Sequence, residues 1–237
     1  MGIIPFLIRR LALANPEPTT PAMQRLRLPA VLALAALLPA ARSNAQAWAY
    51  PSFQPPRVIT REYNFGIADT DRGGSSLVFQ WREQSGPATQ FSFDVGIADT
   101  EGRDSDLIAF GGIGLAHRLS AATNEVPIDF LLTGGVYLAI GDGTFFRLPV
   151  GLSLGHRFVL DGAMALTPYL HPRVSLDVCN DCGGSDIGLT FDLGANFELS
   201  RTVSIRAAAV FSGSDSFDGD GFGISLAWTP PSLARRR

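Results

Sequence analysis

Residues 187–198 have the sequence IGLTFDLGANFE, in which every odd-numbered residue is apolar and every even-numbered residue is small or polar. A β-strand turns successive side chains to opposite faces, so this stretch predicts a strand with one apolar and one polar face. The same alternation occurs in residues 90–97 and 146–155. No comparable stretch with helical spacing follows residue 47. The pattern therefore predicts an all-β fold.

Ten segments of this kind are predicted along the chain, and most have 9 to 15 residues, which is longer than the usual strand of a soluble protein. A tilted strand that crosses a bilayer needs about 9–11 residues. We therefore expect a closed, antiparallel, up-and-down transmembrane β-barrel of about ten strands, with eight strands as the alternative if one hairpin lies outside. The predicted segments are residues 57–68, 75–83, 89–98, 105–117, 127–140, 144–158, 164–177, 185–198, 202–212 and 220–229.

Residues 1–47 are predicted to be an N-terminal extension followed by a secretory signal peptide. Translation is expected to start at Met23, because basic residues and then the apolar segment Leu28–Ala40 follow it. The small residues around Ala47 indicate cleavage after that residue. The protein is therefore expected to be exported.

Composition divides the rest of the chain into three segments. Residues 48–56 are proline-rich and are expected to be an irregular lead-in, residues 57–229 form the predicted barrel, and residues 230–237 form a short tail. Without residues 1–47, the chain has 14 arginines and 21 acidic residues, a formal charge of −7. An acidic exported protein is a poor candidate for binding nucleic acid.

The polar faces of the predicted strands carry both acidic and basic side chains in nearly equal numbers. If the barrel lies in lipid, these side chains face its lumen and form an ion-pair network that fills a narrow interior, for which arginine is well suited. A selective passage lined by charges is the alternative. The predicted lumen network consists of Glu62, Arg82, Asp94, Asp129, Arg147, Arg157, Arg173, Asp177, Asp192, Glu198 and Arg206.

Alternate connections between the segments are acidic and rich in glycine, so one rim of the barrel is expected to be acidic. Cys179 and Cys182 fall in one of these connections and are predicted to form a disulfide at a hairpin tip, with a redox or zinc site as the less favoured interpretations. The acidic connections are expected to be solvated, although their carboxylates are also of the type that binds divalent cations. No metal site and no cofactor are expected.

The last segment, Gly221–Trp228, resembles the C-terminal signal of Gram-negative outer-membrane barrels, although Leu226 stands where an aromatic residue is usual. With the leader and the strand pattern, the chain resembles the small outer-membrane β-barrel proteins of the OmpA, OmpX and OmpW types. This resemblance implies a location in the cell outer membrane, contact with lipid and recognition by the barrel-insertion machinery. Trp81 and Trp228 are the predicted anchors at the membrane interface, and a monomer is expected.

The expected function is a structural or surface-interaction role, and no catalytic residue is predicted. His171, Ser175 and Asp177 share one face of a strand, but positions four residues apart on a strand are separated by about 13 Å, too far for direct hydrogen bonds. Three alternatives remain open: a narrow channel for small solutes, an outer-membrane lipid-modifying enzyme, and a soluble periplasmic ligand-binding barrel.

Overall fold

The computed structural model describes residues 50–71, 74–99, 107–141, 143–180, 184–213 and 219–231. This part of the chain contains no helix with the length and hydropathy that a membrane crossing requires. Its strands are β1 Arg61–Thr70, β2 Gly74–Gln84, β3 Thr89–Asp99, β4 Leu107–Ser120, β5 Asp129–Ile140, β6 Thr144–Gly155, β7 Phe158–Val159, β8 Ala165–Cys179, β9 Gly184–Glu198, β10 Val203–Gly213 and β11 Gly221–Trp228.

Ten of these strands close into one antiparallel barrel. Strands β1 to β6 pair in chain order, β6 pairs with β8, β8 to β11 pair in chain order, and β11 pairs with β1. Strand β7 has two residues and pairs only with the start of β8. The predicted ten-stranded, up-and-down barrel is therefore confirmed, and the eight-stranded alternative is wrong.

Most predicted strand boundaries differ from the structure by one to three residues, and two differences, at the start of β1 and the end of β6, have a structural consequence. Strand β1 begins at Arg61 rather than at residue 57. The backbone N–H of Ile59 donates to the buried Gln90 side chain and not to a neighbouring strand. The sixth segment ends at Gly155, and Phe158–Val159 forms the separate β7. Residues 57–60 thus precede the barrel wall.

The glycines of β4 have a packing role. A Cβ atom at Gly112 would lie 2.3 Å from Cδ1 of Tyr137, so the missing side chain leaves room for the tyrosine ring inside the barrel. The register of β4 against β5 shifts between Arg118 and Ser120, away from these glycines. The glycine-rich strand therefore keeps its regular pairing where Tyr137 packs.

The barrel is apolar outside and polar inside, which is the reverse of a soluble barrel. Phe65, Ile67 and Leu115 face outward and are 56–60% exposed. Glu62 and Arg82 face inward from the same sheet and are 2–3% exposed. The alternation that predicted the strands therefore also separates the two surfaces of the wall.

The barrel has two ends, which we call the proximal and distal rims. Strand β1 begins and β11 ends at the proximal rim, which also carries the connections at residues 85–88, 121–128, 156–164 (with β7) and 199–202. The distal rim carries the other five connections, and much of it, including most of the predicted acidic loops, lies outside the described residues.

An apolar cluster fills part of the interior. It combines inward-facing residues of the wall with two aromatic residues that precede β1. Its members are Tyr50, Phe53, Ala68, Val78, Ala98, Ile108, Phe110, Ala139, Phe145, Cys179 and Ala208, with Tyr137 packed against them.

Candidate functional site: the plugged lumen

Residues 50–60, which we call the plug, lie inside the barrel, with Arg57, Val58 and Thr60 half-buried at its proximal end. The plug forms neither strand nor helix, and Phe53 and Ile59 are completely buried. Pro51, Pro55 and Pro56 disfavour both helix and sheet pairing because a proline has no backbone N–H. The predicted irregular lead-in is therefore irregular in backbone, but it occupies the lumen.

The ring of Phe53 sits in a socket formed by two glycines of the wall. A Cβ atom at Gly223 would lie 2.7 Å from Cζ of Phe53, and one at Gly66 would lie 3.0 Å from Cε2. Phe53 itself has a φ angle of 48°, a left-handed conformation that is uncommon for a residue with a side chain. The two glycines thus leave the space that holds the buried Phe53 ring against the wall.

Side chains of the barrel satisfy the backbone carbonyls of the plug. Arg82 Nη2 donates to the Ser52 carbonyl at 2.9 Å, and Arg206 Nη1 donates to the Phe53 carbonyl at 3.3 Å. Ser153 Oγ donates to the Gln54 carbonyl at 2.7 Å. Buried backbone groups without such partners are costly, so these bonds make the plug compatible with the barrel interior.

The two arginines that hold the plug share one carboxylate, Glu62. Arg206 donates to both oxygens of Glu62, at 2.7 and 2.6 Å, and Arg82 Nη1 donates to Oε1 at 3.0 Å. All three side chains are nearly inaccessible to solvent. The plug and this ion-pair cluster therefore form one connected unit.

Asp192 is a second centre of the network. Its Oδ2 accepts hydrogen bonds from the backbone N–H and the hydroxyl of Ser52, at 3.0 and 2.6 Å. Its Oδ1 accepts from Arg173 Nη2 at 2.6 Å. A plug residue is thus held by a carboxylate of β9.

His171 continues this chain of hydrogen bonds. Because the single hydroxyl hydrogen of Ser52 goes to Asp192, Ser52 Oγ accepts from His171 Nδ1 at 2.7 Å. Nε2 of a neutral His171 then accepts from Thr133 Oγ1 at 2.8 Å. This arrangement satisfies both ring nitrogens and both hydroxyls.

The trio His171, Ser175 and Asp177 is not brought together, in agreement with the distance expected from sequence. Asp177 binds Arg147 at 2.8 and 3.0 Å, and the Ser175 hydroxyl has no hydrogen-bond partner. His171 binds Ser52 and Thr133 instead, neither of which was predicted.

The remaining predicted lumen residues fall into three places. Asp94 accepts from the Tyr50 hydroxyl and from Gln80, both at 2.9 Å. Glu198 accepts from Arg157 at 3.1 and 2.8 Å and also binds Arg57. Asp129 accepts from the backbone N–H of Ala122 at the proximal rim, so it stabilises a turn.

Tyr50 remains a hydrogen-bond donor over the whole ordinary pH range. Burial raises the pKa of its phenol well above the usual value, and the neighbouring Asp94 carboxylate adds to this rise. The Tyr50 ring also stacks on Phe110 with 5.1 Å between ring centroids. Tyr50 thus links the polar network to the apolar cluster.

Sequence reasoning missed the plug residues because their segment has no periodicity. One signal was present: residues 50–56 contain Tyr50 and Phe53 but no charged residue, which is unusual for a solvated linker.

Trp81 and Trp228 lie on the outer surface near the proximal rim, and Tyr63 pairs with both across neighbouring strands. The Tyr63 and Trp228 rings stack with centroids 5.7 Å apart. Cys179 is disulfide-bonded, and Cys182, the other cysteine of the sequence, lies outside the described residues.

No protein-family model matches the sequence, and no curated protein matches it significantly. Among solved structures, the β domain of the Bordetella autotransporter BrkA is 10% identical, with a TM-score of 0.47 over 72% of this chain and 98% of that one. LpxR from Salmonella typhimurium is 9% identical, with a TM-score of 0.45 over 71% and 100% of the two chains. The KdgM porin is 9% identical, with a TM-score of 0.39 over 71% and 99%.

Proposed function

We propose that this protein is an outer-membrane β-barrel with a structural or surface-interaction role, whose lumen is closed by its own N-terminal plug. The observation that carries this proposal is the burial of most of residues 50–60 inside a closed barrel. Sealing requires no further protein, because the plug and its partners belong to one chain.

The membrane location is supported by the outer surface. Large apolar side chains are exposed on every long strand of the wall, whereas monomeric soluble proteins rarely expose extensive apolar patches. Lipid would cover this surface, and Trp81, Tyr63 and Trp228 would lie at its boundary with water. The leader and the resemblance of Gly221–Trp228 to a sorting signal support export and insertion into the outer membrane.

The closed state is supported by the little space that remains in the lumen. The cavity beside the plug has a volume of about 70 Å³ and is lined by residues such as Ser52, Asp94, Thr133, His171 and Arg173. This volume has room for only a few water molecules. Such a cavity does not admit a hydrated solute.

The same cavity argues for a structural rather than a catalytic role of His171. Nucleophilic catalysis requires space for a substrate beside the activated hydroxyl, and both hydroxyls on His171 are already bound within the network. We therefore propose that the hydrogen bonds of His171 hold Ser52 of the plug in place.

Planar-bilayer conductance tests the proposed function. The protein beginning at Trp48 is expected to give no stable unitary steps at moderate voltage. The same chain without residues 50–58 is expected to give steps. The deletion removes the Phe53 ring and the plug carbonyls that bind Arg82, Arg206 and Ser153, and it retains β1 to β11.

A second variant keeps the test decisive if the shortened chain does not insert. Gly223→Phe would displace the Phe53 ring from its socket, whereas Gly213→Phe is the matched control because a Cβ atom at Gly213 meets nothing within 4 Å. Steps from the unmodified barrel would contradict the proposal and favour the narrow channel. If inserted barrels that lack the plug give no conductance steps, the plug is not what closes the lumen.

A further inference from the structure

The proximal rim contains a second cavity, separate from the lumen cavity, with a volume of about 570 Å³. This lies within the range of roughly 300–1,000 Å³ that is typical of small-molecule sites. Four arginines and one glutamate supply its charges. These residues are Arg57, Arg118, Arg157, Arg201 and Glu198.

Glu198 carries too little negative charge to neutralise the four arginines. Glu198 is the one acidic residue among the described residues that line the cavity, and it is shared by Arg57 and Arg157. Arg118 Nη2 donates to the neutral carbonyl of Pro87 at 3.3 Å. Four positive charges against one negative charge leave the cavity with a formal charge of +3.

Arg61, another arginine of the proximal rim, has its own carboxylate partner. Arg61 binds both oxygens of Glu83, with Nη2 2.7 Å from Oε1, and forms a neutral pair outside the cavity. Arg61 therefore adds no net charge to the rim beside the cavity.

We propose that this proximal mouth binds a phosphate-bearing anion. Guanidinium groups form paired hydrogen bonds to phosphate oxygens, and several arginines around one cavity are the arrangement that such recognition uses. Val58, Val159 and Met164 line the same cavity, so an apolar part of the ligand has a surface to contact. The phosphate belongs either to an anionic lipid headgroup at the membrane surface or to a soluble phosphate compound.

The test uses the whole exported chain in dodecyl maltoside micelles. Binding of ³²P-labelled inorganic phosphate is measured by equilibrium dialysis, and retention of phosphatidylglycerol is measured by native mass spectrometry with phosphatidylcholine as the zwitterionic comparison. We expect binding of at least one of the two anionic probes. Replacing Arg118 and Arg201 together by glutamine is expected to weaken that binding at least tenfold.

Arg61→Gln is the matched control, because it removes one positive charge from the same rim but not from the cavity. It is expected to change the affinity less than twofold. Each variant is checked for folding by its change of gel mobility on heating, and Arg201→Gln alone serves if the double variant does not fold.

The outcomes separate the two sources of phosphate. Retention of phosphatidylglycerol without binding of inorganic phosphate assigns the site to a lipid headgroup, and binding of inorganic phosphate in lipid-free micelles assigns it to a soluble compound. Failure of both probes overturns the proposal. Equal weakening by Arg61→Gln also overturns it, because the binding would then follow the total charge of the rim.

Discussion

Glu62 shows most clearly how single residues hold this interior together. It is the shared carboxylate of Arg82 and Arg206, and all three side chains are 2–4% exposed. Buried charges are tolerated only when they are paired, so the carboxylate and the two guanidinium groups depend on one another. The same arginines hold two carbonyls of the plug, so the loss of Glu62 affects the plug as well.

Glu62→Gln is expected to lower the free energy of unfolding by about 3–5 kcal/mol, because it leaves two buried arginines without their carboxylate. Urea unfolding in detergent micelles, followed by tryptophan fluorescence, measures this change. Glu83→Gln is the control, since its pair with Arg61 is partly exposed and is expected to contribute far less. Similar losses in the two variants would show that burial does not decide the strength of these pairs.

At the level of elements, the strands were predictable and the plug was not. A wall with different surroundings on its two faces imposes a period of two on the sequence, and this period located all ten barrel strands. The plug has no such period, because its partners lie on separate strands and meet only after the barrel closes. The pairs on Asp94, Asp192 and Glu198 could not be assigned from sequence for the same reason.

The outward face of β3 provides a prediction that separates lipid from water as its environment. Val95→Arg, in the middle of the strand, is expected to make folding into phospholipid vesicles less favourable by about 2–4 kcal/mol. Leu107→Arg, at the distal end of β4, is the control and is expected to cost about 0–1 kcal/mol. Equal, negligible effects at the two positions would indicate a surface in contact with water and a soluble barrel.

For the whole molecule, the even number of barrel strands brings the beginning of β1 and the end of β11 to the same rim. We propose that the proximal rim, which carries both ends of the barrel, faces the periplasm and that the distal rim faces the outside. This orientation also directs the arginine-lined cavity toward the periplasm.

Labelling of intact cells with a membrane-impermeant maleimide tests that orientation. Asp71→Cys, in the distal turn after β1, is expected to react in intact cells, because its side chain is exposed. Asp161→Cys, in an exposed proximal turn, is expected to react only after the outer membrane is permeabilised. The unmodified protein serves as the blank, since Cys179 is disulfide-bonded. The reverse pattern would invert the orientation.

The position of the plug at the start of the chain has a consequence for the order of folding. Ser52 binds residues 119 and 140 positions further along the chain, and the Phe53 carbonyl binds a residue 153 positions away. Contacts of such long sequence separation form only after the intervening chain is ordered. The segment that is synthesised before the wall therefore makes its contacts last, once the strands that carry its partners have paired.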